Sequence, residues 1–383
     1  MLFQKKREQT LSTDFFKKLK SDPVLYIAWI LAFISAFFVK PDSDYLGYID
    51  FRSLGILWGL MVIIQGLKEN SVFEKIGQLL MGKASKAWQL AAALIFMCFF
   101  GSMLITNDVA LITFVPFGML VLKGCKREDM MIPVIVFQTI AANLGSMATP
   151  VGNPQNLYLY GITQMSIEDF VLCMLPFTAA AAVMLVLCIF LLPGKGADVV
   201  MDSEYNIVKS FGSMRQIVIY AVLFVIAILS VLRVIPWYVM AIIVLVIVAG
   251  MDFKILLRAD YMLLLTFIGF FIFTGNMARI DSVKEFLGSV TSGREFMVAV
   301  IASQFISNVP ATLMLSGFTA NYKELLVGVN AGGLGTLIAS MASLISFKFF
   351  SATYKERQTA YIVYFTVANL AFLAVFIMLH FII

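Results

Sequence analysis

The sequence predicts an all-α polytopic membrane protein, an inverted repeat with two re-entrant helical hairpins and two discontinuous helices. Three observations predict it. Of 383 residues, 61% are hydrophobic and 13% charged, with mean hydropathy +0.93, whereas soluble domains are roughly half apolar and about a quarter charged. The apolar residues fall into about 11 segments, enough for about 9 full spans plus the hairpins at roughly 20 residues per crossing. Polar residues interrupt those segments at four places, in the same order in both halves. The composition excludes a soluble enzyme, a disordered chain and a nucleic-acid binder, and a net charge of +5 calls for no polyanionic partner.

Taken in order, residues 1–23 form an N-terminal arm with six Lys/Arg in its first 22 residues and an amphipathic patch at Phe15, Phe16 and Leu19. No small-residue cleavage site follows the first apolar run, 24–39, so a retained cytoplasmic arm is expected rather than a signal peptide. Further apolar runs lie near 53–67, 87–122, 130–160, 170–192, 216–232, 237–250, 261–278, 296–318, 325–347 and 358–383. The amphipathic stretch 71–82 (Val72, Phe73, Ile76, Leu79, Leu80) is expected at the membrane interface, and Arg233, Trp237 and Tyr238 read as an interfacial anchor. A polar link, 193–215, with Pro193, Gly194 and Gly196, separates a first transport repeat, 24–192, from a second, 216–383, which carries one extra helix.

The repeats share three matches in order. Residues 50–75 and 260–285 begin with Asp and an aromatic residue and have a mid-helix glycine, Gly59 or Gly269. Thr106-Asn107-Asp108-Val109-Ala110 aligns with Ser307-Asn308-Val309-Pro310-Ala311, and Leu144-Gly145-Ser146 with Leu334-Gly335-Thr336. Internal repeats of this kind are a recurring plan of secondary transporters. Within the run 87–122, Thr106-Asn107-Asp108 leaves a second arm, 109–122, of 14 residues, about 21 Å and too short to span. Treating this run and 296–318 as hairpins puts 21 of the 28 Lys/Arg on the cytoplasmic side; single crossings put 17 there. The positive-inside rule favours hairpins, and the resulting parity inverts the second repeat, so the tips approach from opposite faces.

Broken helices survive in a membrane when buried in protein or lining a wet cavity. The four breaks are the two tips, the segment Thr149-Pro150-Val151-Gly152-Asn153-Pro154-Gln155-Asn156, and Gly332-Gly333-Leu334-Gly335-Thr336 with Ser340, Ser343 and Ser346. Half-helices starting near Val109, Pro154, Ala311 and Ser343 aim positive dipole ends at one centre, where free N–H groups suit an anion and carbonyl, hydroxyl and amide oxygens suit Na⁺. The candidate site is therefore Thr106, Asn107, Asp108, Thr149, Gly152, Asn153, Pro154, Asn156, Ser307, Asn308, Pro310, Thr312, Gly335, Thr336, Ser340 and Ser343, with Na⁺ at Asn107, Asp108 and Asn308. The blander alternative has these residues capping helices and bonding between them. Asp108 stands out as the one charge among the 36 residues between Lys86 and Lys123, at roughly 2.5–3.5 kcal/mol for a mid-bilayer carboxylate. It reads as the proton- or cation-coupling group, or as an N-cap of the arm 109–122.

The remaining inventory is bland. His380 sits three residues from the C-terminus, so neither an HExxH zinc site nor a Ser-His dyad is available. Cys98, Cys125, Cys173 and Cys188 are scattered and read as small hydrophobes. No ATP-binding motif occurs, so energy comes from an ion gradient or a separate subunit.

At "TNDVALITFVPF" (106–117), "LGSMATPVGNPQNLYLY" (144–160) and "SNVPAT" (307–312), the chain resembles the ion transporter superfamily with the citrate-transporter-like domain. That group includes arsenite permeases, NhaD-type sodium/proton antiporters and sodium-coupled dicarboxylate symporters. The resemblance, from about residue 24 to the end, implies a homodimer and an elevator-like movement of a core holding two opposed hairpins. By position, Thr106, Asn107, Ser307, Asn308, Val309 and Pro310 occupy the paired Ser-Asn-Thr motifs that contribute to sodium and carboxylate binding in the dicarboxylate symporters. Gly152, Asn153 and Pro154 match the family's Gly-x-Pro-Pro type loop in part. The motifs here read Thr-Asn-Asp and Ser-Asn-Val, and an Asn-Asp pair is closer to the arsenite permease pattern, which implies a separate ATPase subunit as partner.

The sequence thus predicts a multi-pass transporter of the cytoplasmic (inner) membrane that moves a small anion, carboxylate or inorganic oxyanion, with Na⁺ or H⁺ as coupling ion and no other cofactor. An arsenite exporter, a Na⁺/H⁺ antiporter and an ion channel remain as alternatives.

Overall fold

The computed structural model describes residues 23–81, 84–199 and 210–383; the arm 1–22 and the middle of the 193–215 link lie outside the described residues. The helices are α1 (Pro23–Phe38), α2 (Phe51–Glu69), α3 (Val72–Met81), α4 (Ala87–Ile105), α5 (Asn107–Gly124), α6 (Met131–Ser146), α7 (Pro154–Thr163), α8 (Ile167–Phe190), α9 (Met214–Val231), α10 (Trp237–Leu256) and α11 (Tyr261–Ala278). They continue as α12 (Asp281–Thr291), α13 (Glu295–Ile306), α14 (Asn308–Leu315), α15 (Tyr322–Ala331), α16 (Met341–Thr353) and α17 (Gln358–Ile382). Helices α1 to α8 and α10 to α17 run through the same sequence of element types, with α1 packed on α11 as α10 is on α2, and α9 is the extra helix. Nine stretches of the described residues are long and apolar enough to cross a membrane. Two of these nine are the arms α4 and α5 of the first hairpin.

Ion pairs and long-range hydrogen bonds define the two ends of the bundle. At the first, Glu69 pairs with Arg258, Ser213 N–H donates to Asn70 Oδ1 (2.8 Å), Lys86 pairs with Asp198 (2.7 Å) and Arg127 donates to Pro193 O (3.1 Å). These contacts pin both described ends of the link, 193–199 and 210–213, beside the end of α2 and the start of α4. At the second end, Arg52 donates to Val231 O (3.1 Å), Arg279 pairs with Asp42 (2.7 Å), Lys323 with Asp169 (3.2 Å) and His380 with Glu324 (3.3 Å). The guanidinium of Arg279 holds the Asp42 carboxyl below the usual carboxylate value.

It follows that α2 runs from the second end to the first, while α11, whose start adjoins the end of α10, runs the other way. Both begin with the same cap. Asp50 accepts from Ser53 N–H and Asp260 from Leu263 N–H, at φ −79° and ψ 83° against φ −80° and ψ 80°. The repeat is inverted.

Each broken run turns back on itself. Gln138 of α6 donates through Nε2 to Leu94 O in α4 (3.3 Å) and to Phe114 O in α5 (3.1 Å). Those carbonyls lie on opposite arms, and collinear helices would hold them about 30 Å apart at 1.5 Å per residue. In the second repeat, Thr319 Oγ1 donates to Glu295 Oε1 (3.0 Å), joining the base of α14 to that of α13. Both runs are hairpins.

Several sequence expectations need correction. The second arm of the first hairpin has 18 residues rather than 14, about 27 Å, so a tip at mid-membrane requires tilt, not shortness. It begins at Asn107 and extends past Lys123, whose long side chain can end an apolar helix by reaching for water. Neither Asn107 nor Asp108 is its N-cap; that position is Thr106, which makes no side-chain cap bond. The other half-helices begin at Pro154, Asn308 and Met341.

Arg233, expected as an interfacial anchor, is exposed and also bonds the protein. It donates to Tyr160 O (2.7 Å) and Gln164 O (3.2 Å) and lies 4.7 Å from the Tyr160 ring centre, capping the negative end of α7. Trp237 packs flat against Gly55 of α2, where a Cβ would lie 2.4 Å from its ring.

Candidate functional site

The tips have nearly identical, left-handed backbones: Thr106 at φ 67°, ψ 149° and Ser307 at φ 70°, ψ 153°. Few side chains adopt this conformation, and its appearance in both halves ties it to the turn each hairpin needs. From each tip, the first N–H of the second arm donates into the break of its own repeat. Asn107 N–H donates to Gly152 O (3.0 Å) and Asn308 N–H to Ala339 O (2.9 Å).

Side-chain amides then cross between repeats. Asn143, near the end of α6, accepts from Ser340 Oγ (3.0 Å) and donates to Ser343 Oγ (3.4 Å), in the first turn of α16. Asn330, near the end of α15, accepts from Asn153 Nδ2 (3.2 Å) and donates to Asn156 Oδ1 (2.7 Å), in the first turn of α7. Asn107 Nδ2 also donates to Asn143 Oδ1 (3.1 Å). These bonds bring together Asn107, Asn153, Asn156, Ser340 and Ser343, and Gly152 joins them through its carbonyl. Asn308 joins through its N–H, with its amide against Gly333. Buried and linked amides of this kind gain strength in a low-dielectric interior.

The same bonds fix the register between halves. The pairs 143 with 330, 153 with 340 and 156 with 343 keep one spacing, as do 102 with 303, 103 with 304 and 107 with 308. This register matches Gly145 with Gly332, not with Gly335 as the Leu-Gly-Ser alignment expects. A Cβ on Gly145 would meet Ser102 Oγ at 2.7 Å, and one on Gly332 would meet Ser303 Oγ at 2.6 Å. Glycine is required at both because a hairpin arm crosses there.

Not every expected residue faces the centre. Thr312 Oγ1 donates to Asn308 O (2.7 Å) within its own helix, and Pro310 is buried in the first turn of α14 without a polar side-chain atom. Thr149 Oγ1 donates to Met103 O (2.5 Å), tying the break to α4. Its counterpart Thr336 is exposed, donating through Oγ1 to Gln304 O (3.2 Å) and through N–H to Gln304 Oε1 (2.9 Å). Gly335, at φ +107°, sits in the same outer loop, where a Cβ would meet Gln304 Oε1. Asn143 and Asn330, which carry the cross-links, were not among the expected residues. The repeated pattern Asn-x-Gly, Asn143-Leu144-Gly145 and Asn330-Ala331-Gly332, is the signal that marks them.

Asp108 is half-buried one residue inside the first tip. Its N–H donates to Asn107 Oδ1 (2.9 Å), and its carboxylate makes no hydrogen bond or ion pair among the described residues. Val309 takes its place in the second repeat. Four helix N-termini thus converge on a polar junction whose bonded side chains include no Lys, Arg or His, and Asp108 follows the junction residue Asn107 in sequence. Such a junction offers donors and positive dipole ends to an oxygen-rich solute and oxygens to a small cation. The Asp108 carboxylate opposes a free anion unless a proton or cation accompanies it.

The sequence profile of the citrate transporter family matches residues 15–325. An uncharacterized transporter of Methanocaldococcus jannaschii is 32% identical over 78% of this chain and 81% of its own length. The inner membrane protein YbiR of Escherichia coli is 28% identical over 88% and 90%. A silicon efflux transporter of Oryza sativa is 29% identical over 40% and 32%. With its profile covering most of the residues, this membrane transporter belongs to the citrate transporter family.

Proposed function

We propose that the protein is a secondary active transporter. Its cargo is a small oxygen-rich anion, a carboxylate or inorganic oxyanion, or the neutral acid of one, and its coupling ion is Na⁺ or H⁺ taken at Asp108. The observation that carries this reading is the convergence of four half-helix N-termini on one polar junction, with the carboxylate Asp108 next in sequence to the junction residue Asn107. Helix ends favour the cargo's oxygens, while Asp108, with Asn107 next to it and Asn308 at the opposite tip, is assigned the oxygens for a coupling ion. The larger share of Lys/Arg at the first end of the bundle supports a cytoplasmic setting for that end, with the hairpins entering from opposite faces. That arrangement suits alternating access by movement of the hairpin core, in a homodimer.

The silicon efflux relative favours a second reading on one specific point. An acid that is neutral at pH 7 avoids repulsion by Asp108, which makes export of a weak oxyacid in exchange for H⁺ or Na⁺ the principal alternative.

A thermal-shift screen of the purified protein against Na⁺, Li⁺, citrate, succinate, sulfate, phosphate, arsenite and silicic acid tests the cargo class. A ligand at 100 times its Kd adds about 2.7 kcal/mol. Asp108→Asn is expected to abolish ion-coupled flux in proteoliposomes while expression and elution profile stay unchanged. Uptake at the wild-type rate and ion dependence would overturn the assignment of Asp108.

A further inference from the structure

Gln155 occupies the first turn of α7, between Pro154 and Asn156. It is 1% exposed, and both Oε1 and Nε2 of its side chain lack a hydrogen-bond partner. A buried orphan amide is costly because it loses its water and gains nothing in return, and native proteins satisfy such groups with protein, water or ligand. Most other polar side chains in these breaks do have partners, so this one is set apart.

Its direction follows from its neighbours on the helix. Residues one turn apart share a face. Tyr158, one turn on, reaches Ser316 Oγ at the base of the second hairpin (3.1 Å). Asn156, on the adjoining face, reaches Asn330 of α15 (2.7 Å). Gly161, on the far side, faces Arg52 and Ser53 of α2. Gln155 therefore points into the wedge between α14 and α15, toward the junction below the tip at Asn308. Its own N–H, at the second position of α7, has no intrahelical acceptor, because the cap Asn153 Oδ1 serves Asn156 N–H (2.9 Å).

We propose that Gln155 determines substrate specificity by reading a hydroxyl-bearing oxyacid or hydroxycarboxylate through both ends of its amide. Nε2 and the α7 N–H donate to substrate oxygens, and Oε1 accepts from a substrate hydroxyl. A fully ionised anion such as sulfate has no hydrogen to offer and leaves Oε1 unpaired, whereas citrate, malate, arsenous acid and silicic acid supply one. Sites built to bond a substrate hydroxyl discriminate strongly against analogues that lack it. This inference rests on the transporter reading above.

The test compares wild type with Gln155→Met, which keeps length and removes both polar ends, by thermal shift titration in Na⁺. The probes are citrate against tricarballylate, malate against succinate, and silicic acid and arsenite against sulfate. Wild type is expected to bind the hydroxylated member of at least one pair more tightly, and Gln155→Met to weaken that member about tenfold or more while binding the other unchanged. Gln155→Glu, which keeps an acceptor and loses the amide donor, should fall between. If Gln155→Met binds the hydroxylated probe as wild type does, the amide holds water or packs structurally, and the inference is overturned while the transporter reading stands. A wild-type protein that takes none of the probes overturns the cargo class and this inference together.

Discussion

Asp108 and Val309 hold the same place in the two halves, yet one carries a charge. Gly145 and Gly332 show the opposite case, where both halves keep the same residue for the same steric reason, whereas Gly152 is matched by Ala339. A Cβ on Gly152 would lie 2.0 Å from Ser146 O, inside the loop that accepts the hairpin tip. Gly152→Ala is therefore expected to lower stability by about 1–3 kcal/mol or more and to cut flux. Gly250→Ala, with no atom within 4 Å, should leave both unchanged. Detergent-solution melting and proteoliposome flux check the pair. Gln155 lies within a break that the sequence marks, but a glutamine among asparagines and prolines gives no sign of lacking a partner until the surrounding helices are in place.

At the scale of the element, α7 is a ten-residue helix held at both ends: Asn153 and Asn156 bond Asn330, and Arg233 closes its C-terminus. Truncating Arg233 to alanine should cost about 0.3–2 kcal/mol of helix-end interaction. Faster cleavage of the 160–167 segment in limited proteolysis would register it. Asn330→Ala takes the bond from Asn156 Oδ1 and one of two from Asn153 Nδ2, and should cost about 1–3 kcal/mol. In a double-mutant cycle with Asn156→Ala, a coupling above about 0.5 kcal/mol is expected. The breaks were legible in the sequence because prolines, glycines and asparagines in charge-free apolar runs are costly unless a fold uses them. The hairpin was legible from charge placement. Arm length was not, since a helix can run past the last apolar residue when a lysine stem covers the gap. Nor was the register of the second break: short apolar-Gly-hydroxyl strings recur by chance, and only the partner of each amide distinguishes one spacing from the next.

For the whole molecule, the inverted repeat makes a prediction about sidedness. With Cys98, Cys125, Cys173 and Cys188 replaced, single cysteines at Asp198 and Lys126 lie at one end of the bundle, and at Lys323 and Arg294 at the other. An impermeant maleimide added to intact cells should label the second pair, and the first only after permeabilisation. Labelling of all four from one side would sink the topology. The fold class and number of segments were readable from hydropathy alone, because a bilayer dictates segment length. The pairing of segments was not, because α2 bonds α9 and α10 while α11 lies along α1, and nothing in apolar periodicity names a neighbour.

The crossed asparagine bonds have one more implication. Asn143 sits in one half and its serines in the other; Asn330 sits in the second half and its asparagines in the first. Neither half is a finished object. Inserted by itself, each would carry unpaired amides into hydrocarbon, at several kcal/mol for each group, so the nascent first half must wait for the second before its interior closes. The two copies are also bound to each other in descent: a change at any one of these asparagines is felt across the molecular dyad, and the duplicated segments cannot drift apart independently.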